Sequence, residues 1–300
     1  MPGIFHKPTV RRDFLRVTAA AGAALVAGCH STRKVEVGAE KKELHLALLS
    51  DTHIPADRKN GNRGFNPWGN LREVVPQVME AKPEGVIICG DAARLEGLEG
   101  DYTELRGLLE PIAATTPVFI GLGNHDDRVS FNKVFMTTGG EKAAVKDKHV
   151  LVIEEEVVRI VVLDSLMYVN KVAGLLGKEQ RTWLTNFLAT TSDKPVVLFV
   201  HHTLGENDGD LLDTDSMFEI IAPHRHVKAI FYGHSHVWEF KKRDGIELVN
   251  LPAVGYNFRD QDPVGWVDAK FDSEGVSLTL RAIGGSREGD RRITRLNWRA

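Results

Sequence analysis

The sequence predicts an α/β fold, on three observations. Short apolar runs alternate with segments of helical spacing. Five of those runs end in His, Asp or Asn. After residue 236 the pattern changes to strands of strictly alternating polarity. The five runs are Leu44 to Leu49 before Ser50-Asp51-Thr52-His53, Val86 to Cys89 before Gly90-Asp91, Pro117 to Ile120 before Gly121 to Asp127, Val196 to Val200 before His201-His202, and Ala229 to Tyr232 before Gly233-His234-Ser235-His236. A lone polar residue after a strand is explained by a turn or a helix cap, since Asp and Asn favour both for local reasons. Five such ends in order point instead to one shared site at the carboxyl ends of parallel strands.

Three hundred residues with 42% hydrophobic content suffice for one large domain or two small ones, and the spread of the polar strand ends across the chain favours one. A net charge of −3 gives no polycationic signature for nucleic acid. The two cysteines, Cys29 and Cys89, allow neither a disulfide framework nor a cysteine zinc site.

Along the chain, Arg11-Arg12-Asp13-Phe14-Leu15-Arg16 followed by the Ala- and Gly-rich stretch to Gly28 reads as a twin-arginine export signal, too short to span a bilayer. Leu25-Val26-Ala27-Gly28-Cys29 resembles a bacterial lipobox, so residues 1–29 form a leader with a lipid anchor at Cys29 as one expectation. This places the protein across the cytoplasmic membrane, periplasmic or membrane-anchored. Residues 30–43 are charged and poor in apolar side chains, as in a solvated tether. The globular domain is expected over 44–283.

Residues 54–70 form a long loop with Pro55, Gly61, Gly64, Pro67 and Gly69, in which Arg58, Asn62, Arg63 and Trp68 are available to a substrate. Helical spacing covers Leu71 to Lys82, Tyr102 to Ala113 and Lys178 to Ala189, with a short helix at Met217 to Ile221 that Asp213 or Asp215 can cap. Two β-rich runs around Glu154-Glu155-Glu156 form an antiparallel pair. Val267, Ala269 and Phe271, then a turn at Asp272 to Gly275, then Val276, Leu278 and Leu280, form a hairpin expected to extend a second sheet. Residues 284–300, with five arginines, read as a basic solvated tail.

Taken together, Asp51-Thr52-His53, Gly90-Asp91, Gly123-Asn124-His125-Asp126, His201 and Gly233-His234-Ser235-His236 resemble the calcineurin-like metallophosphoesterases, and the compact chain is similar to their bacterial branch that includes cyclic-nucleotide phosphodiesterases. The resemblance spans about Leu44 to Ile283. It implies two packed β-sheets flanked by helices, in four layers, and hydrolysis of phosphate esters, diester or monoester, by a hydroxide shared between two metal ions. It assigns Asp51, His53 and His236 to one ion, Asn124, His201 and His234 to the other, and Asp91 to both. It makes His125 the group that serves the leaving oxygen, with Asp126 orienting the ring. Strand alternation gives Asp51 and His53 one face, and His234 and His236 likewise if extended.

Fe, Mn, Zn and Co all suit imidazole, carboxylate and amide donors. The purple acid phosphatase branch has Tyr three residues after the bridging Asp, where this chain has Arg94, so no tyrosinate-to-iron colour is expected. The family's Pro at the second position after the metal-binding His is Thr203 here, and His202 stands beside the ligand set. Small or envelope phosphate esters are the substrates this implies. The competing reading is a metal-binding or scaffold protein of the same fold without turnover, against which stands the complete ligand set. The His-x-His-x-Asp-His and His-Glu-x-x-His patterns of other metal hydrolases are absent from the sequence.

Overall fold

The computed structural model describes residues 4–5, 42–135, 144–191 and 194–300. Within them two β-sheets lie face to face, each with helices on its outer side. The leader motif Arg11-Arg12, the lipobox and the tether up to residue 41 lie outside the described residues.

Three of the motif strands, β2 (Leu44–Leu49), β3 (Gly85–Cys89) and β4 (Val118–Gly121), run parallel as neighbours. A two-residue strand, β1 (Ile4–Phe5), pairs antiparallel with β4. On the other side of β2 come β11 (Pro263–Asp272), β12 (Gly275–Gly285) and β13 (Ile293–Asn297), all antiparallel. The second sheet has the order β5 (Leu151–Glu154), β6 (Arg159–Leu163), β7 (Val196–Val200), β8 (Val227–Tyr232), β10 (Ile246–Asn250) and β9 (Glu239–Arg243). Its centre, from β6 to β10, is parallel, and β5 and β9 are antiparallel edges. The five motif strands are therefore divided three and two between sheets, and the carboxyl ends of both parallel centres meet along one edge of the sandwich.

Helices follow the apolar spacing. Pro67–Ala81 (α1) starts earlier than the spacing predicts, because Asn66 accepts the Gly69 amide at 2.6 Å and Pro67 suits the first turn. Glu99–Ala113 (α2) and Arg128–Phe135 (α3) join α1 on the outer face of the first sheet. Helix α3 has no counterpart in the sequence reading; Asp127 caps it through the Ser130 amide at 2.7 Å. Gly177–Ala189 (α4) and Thr214–Ile221 (α5) cover the second sheet. Asp213, one of the two residues expected to cap α5, instead accepts the Leu176 and Gly177 amides at the start of α4.

Between the sheets, Leu48, Ile87, Phe199, Phe231, Phe271 and their neighbours are buried, with Phe199 and Phe231 stacked at 4.9 Å. Each such side chain contributes about 1.5–3 kcal/mol by leaving water, which holds two otherwise independent sheets in a fixed relation.

Two expectations are corrected here. The 267–280 hairpin does not extend the second sheet; β11 pairs with β2, and the alternation of β11 fits it to that buried neighbour. Residues 284–300 are no free tail. Leu296 and Trp298 alternate inward onto the inter-sheet core, Arg295 donates to Asp272 at 2.9 Å, and Arg299 donates to the carbonyls of Val227, His224 and Asp244. Arg287 and Arg299 spend their donors on main chain, and Arg295 spends one on a carboxylate.

A buried carboxylate, Asp164, ties the segment after β6 to the segment after β4. It accepts both Nε and Nη2 of Arg128 at 2.7 Å, together with the amides of His149 and Leu166. Burial alone would raise its pKa, but the bonds and charge of Arg128 outweigh that and hold it below its ordinary 3.8. Its ionised form therefore contributes stability above the unfolded value, and that contribution fades as pH falls through the lower folded value. We expect Asp164→Asn to lose about 3–5 kcal/mol in urea denaturation at neutral pH, because Arg128 is left without its partner. The gap to the native protein should narrow on going from pH 7 to pH 3.

Candidate metal centre

Every functional side chain sits just past a strand end. Asp51 and His53 follow β2, Asp91 follows β3, Asn124 and His125 follow β4, His201 follows β7, and His234 and His236 follow β8. The strands stop at Leu49 and Tyr232, so strand alternation does not aim the paired ligands. Asp51, His53, Asp91, His234 and His236 instead adopt left-handed φ between 45° and 69°. An L-residue there costs roughly 1–2 kcal/mol, and such strain collects where a site demands one direction of a side chain. Two glycines let the loops come together. A Cβ on Gly90, at φ +87°, would lie 2.6 Å from Nδ1 of His201, and one on Gly123 would lie 2.3 Å from Oδ1 of Asp91.

The loops bring the ligating atoms into three groups, each with its atoms within 4.8 Å of one another: Asp51, His53 and His236 form one, Asp91, His201 and His234 another, and His53, Asp91 and His125 a third that overlaps both. Asp91 joins them: its Oδ2 is 3.8 Å from Nε2 of His53 and 3.3 Å from Nε2 of His201. Asp51 Oδ1 lies 3.2 Å from Nε2 of His236. Asn124, buried beside them, is an amide oxygen donor of the same kind.

Main-chain carbonyls set the imidazole tautomers. Nδ1 of His53 lies 3.2 Å from the Arg94 carbonyl, that of His201 2.8 Å from the Cys89 carbonyl, and that of His236 2.5 Å from the Tyr256 carbonyl. A carbonyl can only accept, so each Nδ1 carries a proton and each ring turns its Nε2 inward. Lone pairs then face each other, with Nε2 of His53 and His236 3.1 Å apart and carboxylate oxygens close by. Among the described residues, Oδ1 of Asn124 and Nε2 of His201 are buried without a hydrogen-bond partner. Such a cluster of acceptors requires positive charge at its centre.

Burial and neighbouring charge make the same demand. Burial opposes charge on both Asp51 and Asp91, yet the neighbouring imidazoles hold both carboxyls well below the usual range. Burial also disfavours the His201 imidazolium, but Asp91 and Asp51 overcome it and raise the ring to about 10. Burial prevails at His53, pushed down to about 3, and at His234, pushed down to about 4. The donor set of imidazole, carboxylate and amide oxygen fits first-row divalent ions and does not choose among them.

His125 stands at the mouth. Its Nδ1 lies 2.9 Å from the Leu95 carbonyl, its ring is tilted over His53 at 5.4 Å, and its Nε2 is 4.0 Å from Oδ2 of Asp91. It points into the site rather than away from it. Asp126 does not orient this ring. Its carboxylate accepts the amides of Gly123, Ala92 and Ala93 and the Tyr102 hydroxyl, which clamps the loop after β4 to the loop after β3. Burial and the nearby Asp91 raise its pKa to about 6 against those amide bonds.

Several contributors have no motif. Ser50 donates to Oδ2 of Asp51 at 2.5 Å, and the His234 amide donates to the same carboxylate. Tyr256 packs 4.8 Å from the rings of both His53 and His236, and the Arg94 guanidinium lies over Tyr256 with its Nη1 buried and unpartnered. His202 is buried behind His234, bonded through Nδ1 to Ser165 at 2.7 Å. Of the loop residues singled out for substrate, Arg58 is paired with Glu104 and lies over Trp68. The remaining histidine of the core, His149, serves packing: Nε2 bonds to the Ile120 carbonyl and the ring meets Phe131 edge-on.

Residues 44–238 match the family model of the calcineurin-like phosphoesterases. The 3',5'-cyclic adenosine monophosphate phosphodiesterase CpdA of Haemophilus influenzae is 26% identical over 257 residues, covering 80% of this chain and 90% of that protein. A cAMP/cGMP dual specificity phosphodiesterase of Mycobacterium tuberculosis is 28% identical over 200 residues, 64% of this chain and 61% of its own length. In structure, a dimetal phosphatase from Danio rerio superposes with a TM-score of 0.67 at 14% identity, covering 85% of this chain and 99% of that one, so the fold is shared. With the ordered motifs converging as described, the chain belongs to the calcineurin-like phosphoesterase family, metal-dependent hydrolases of phosphoric esters.

Proposed function

We propose that this protein hydrolyses phosphate esters, diesters among them, with two metal ions held by Asp51, His53 and His236 on one side and by Asn124, His201 and His234 on the other, Asp91 serving both. The carrying observation is the buried cluster of inward-facing ligand atoms, with Oδ1 of Asn124 unpartnered and Asp91 lying between His53 and His201. A bound metal pair supplies Lewis-acid charge for the phosphoryl oxygens and a water acidified enough to act as nucleophile. The relatives named cyclic-nucleotide phosphodiesterases support the diester reading.

The chain's own residues do the rest. Carbonyls of Arg94, Cys89 and Tyr256 keep three imidazoles in the tautomer that offers Nε2. His125 is assigned the leaving group: its ring is fixed at Nδ1 by Leu95, and Nε2 is turned to the site. When that nitrogen is protonated, its proton goes to the departing ester oxygen. Asp126 is a positioning residue for the loop that carries Asn124 and His125. We also propose export and lipid anchoring, supported by Arg11-Arg12 and by Leu25 to Cys29 in the sequence. Among the described residues no helix is long and apolar enough to cross a membrane.

Asp91→Asn keeps an acceptor for the His125 amide, now at 2.8 Å, so the loop should hold. Metal analysis should show reduced occupancy, and turnover should fall by more than about a hundredfold. Full metal content with near-native turnover would rule out the shared role of Asp91. His125→Ala should retain its metals while slowing hydrolysis by about 10²–10⁴, and most for esters with poor leaving groups. Equal losses for nitrophenyl and alkyl leaving groups would assign the ring a different task. For export, Cys29→Ala should move the protein from the membrane to the soluble envelope fraction in cells.

A further inference from the structure

We propose that the ester turned over at this centre carries an apolar chain beside its phosphate, seated on a rim of exposed apolar side chains. The inference rests on the hydrolase reading and narrows its substrate to amphiphilic phosphate esters.

Three separate loops build the rim, and each is bonded to the site itself. Leu95 is 42% exposed, while its carbonyl holds the His125 ring. Tyr168 and Val169 stand on a turn whose Asn170 amide donates to the Asn124 carbonyl at 2.6 Å, and Tyr168 is 71% exposed. Phe258 is 46% exposed with its ring stacked on His236 at 4.3 Å and 19°. The rim continues past Leu95. Gly97 backs so closely onto Asp127 that the starts of α2 and α3 lie side by side, and there Leu98 and Val129 are also exposed.

Single exposed apolar residues are ordinary on a protein surface. Their distribution here is not. Among the described residues, Met79 and Ile293 are the large exposed apolar side chains that lie away from these loops and the adjoining 172–212 strip. Apolar side chains gathered at one opening mark the binding of something apolar. At the inner end of the rim stands a polar counterpart, the buried and unpartnered Nη1 of Arg94 over Tyr256. A donor for an anionic oxygen inside and apolar contact outside is the profile of an amphiphile, with its charged ester at the centre and its chain leading out. A small polar ester would use Arg94 but leave the rim wet.

The test uses full-length, metal-analysed protein and alkyl 4-nitrophenyl phosphate diesters with methyl, butyl and octyl chains, kept below their micelle concentrations. Efficiency, kcat/KM, should rise by roughly tenfold or more from methyl to octyl as methylenes leave water. The paired substitution Tyr168→Ser with Val169→Ser should remove most of that rise, read as the octyl-to-methyl ratio of kcat/KM, with metal content and circular dichroism retained. Calorimetry should likewise show octylphosphonate binding more tightly than methylphosphonate, and the gap should close in the variant. A flat chain-length series with all three esters hydrolysed overturns the proposal and leaves the hydrolase reading standing. So does a rise that the variant retains, or a flat series in a protein that sediments with phosphatidylglycerol vesicles, which would make the rim a membrane-docking surface. If no ester is hydrolysed, the hydrolase reading fails, and the phosphonate pair still decides whether the rim holds a chain.

Discussion

The molecule is organised around an electrostatic conflict. Two carboxylates and four imidazoles are driven together where water barely reaches, and main-chain carbonyls take the Nδ1 protons of three of the rings, which turns their Nε2 atoms toward one another and the carboxylates. Nε2 atoms 3.1 Å apart cannot both offer lone pairs to each other without a positive charge between them. The protein keeps this arrangement because the cost is spread over the whole fold. Backbone strain at five ligand positions and glycine contacts too tight for any side chain are sustained by two sheets whose shared core fixes where their strands end.

That dependence runs across the sandwich. His201 comes from the second sheet, but its Nδ1 is fixed by the carbonyl of Cys89 in the first, and the Cys89 thiol in turn donates to carbonyls of Val200 and Phe231 in the second. Burial raises the pKa of this thiol, which suits a structural donor and not a nucleophile. The two groups of ligands thus belong to different sheets in part, and a slip of one sheet over the other by a single residue would carry His201 and His234 away from Asp91. Packing between Phe199, Phe231 and Phe271 is in this sense part of the metal chemistry.

Much of the site was legible in the sequence because its signal is categorical. A His, Asp or Asn within four residues of the end of each of five apolar runs is uncommon for packing reasons, and all nine singled-out residues lie at or beside one centre. The five motif strands and helices α1, α2, α4 and α5 followed from periodicity in the same way. What was not legible is whatever depends on main-chain direction. Parity suggested that strand alternation aims Asp51 with His53, whereas left-handed φ values beyond the strand do so. The family resemblance implied that Asp126 orients His125, but a carboxylate takes the nearest amides, and three of these lie in the loops it clamps. The carbonyls of Leu95, Arg94 and Tyr256 leave no trace in side-chain identity at all. The basic stretch at 284–300 misled for a related reason: five arginines hid the short alternation of Leu296 and Trp298 that makes a strand.

The unequal visibility has a physical origin that bears on substrate choice. Metal ligation needs particular atoms, so it restricts residue type; holding a substrate needs only shape, polarity and a reachable donor, which many residues supply. The sequence accordingly marks the reaction class strongly and the substrate weakly. Only in three dimensions do Leu95, Tyr168 and Phe258, which are far apart in the chain and share no motif, appear as neighbours of one opening. Their anchoring matters more than their polarity. Each loop is bonded to a residue of the metal centre, so whatever orders the rim also acts on the rings and carbonyls that set the ligand geometry. A substrate seated on that rim would tighten the same contacts that hold His125, Asn124 and His236, coupling recognition of the part of the ester that does not react to the alignment of the part that does.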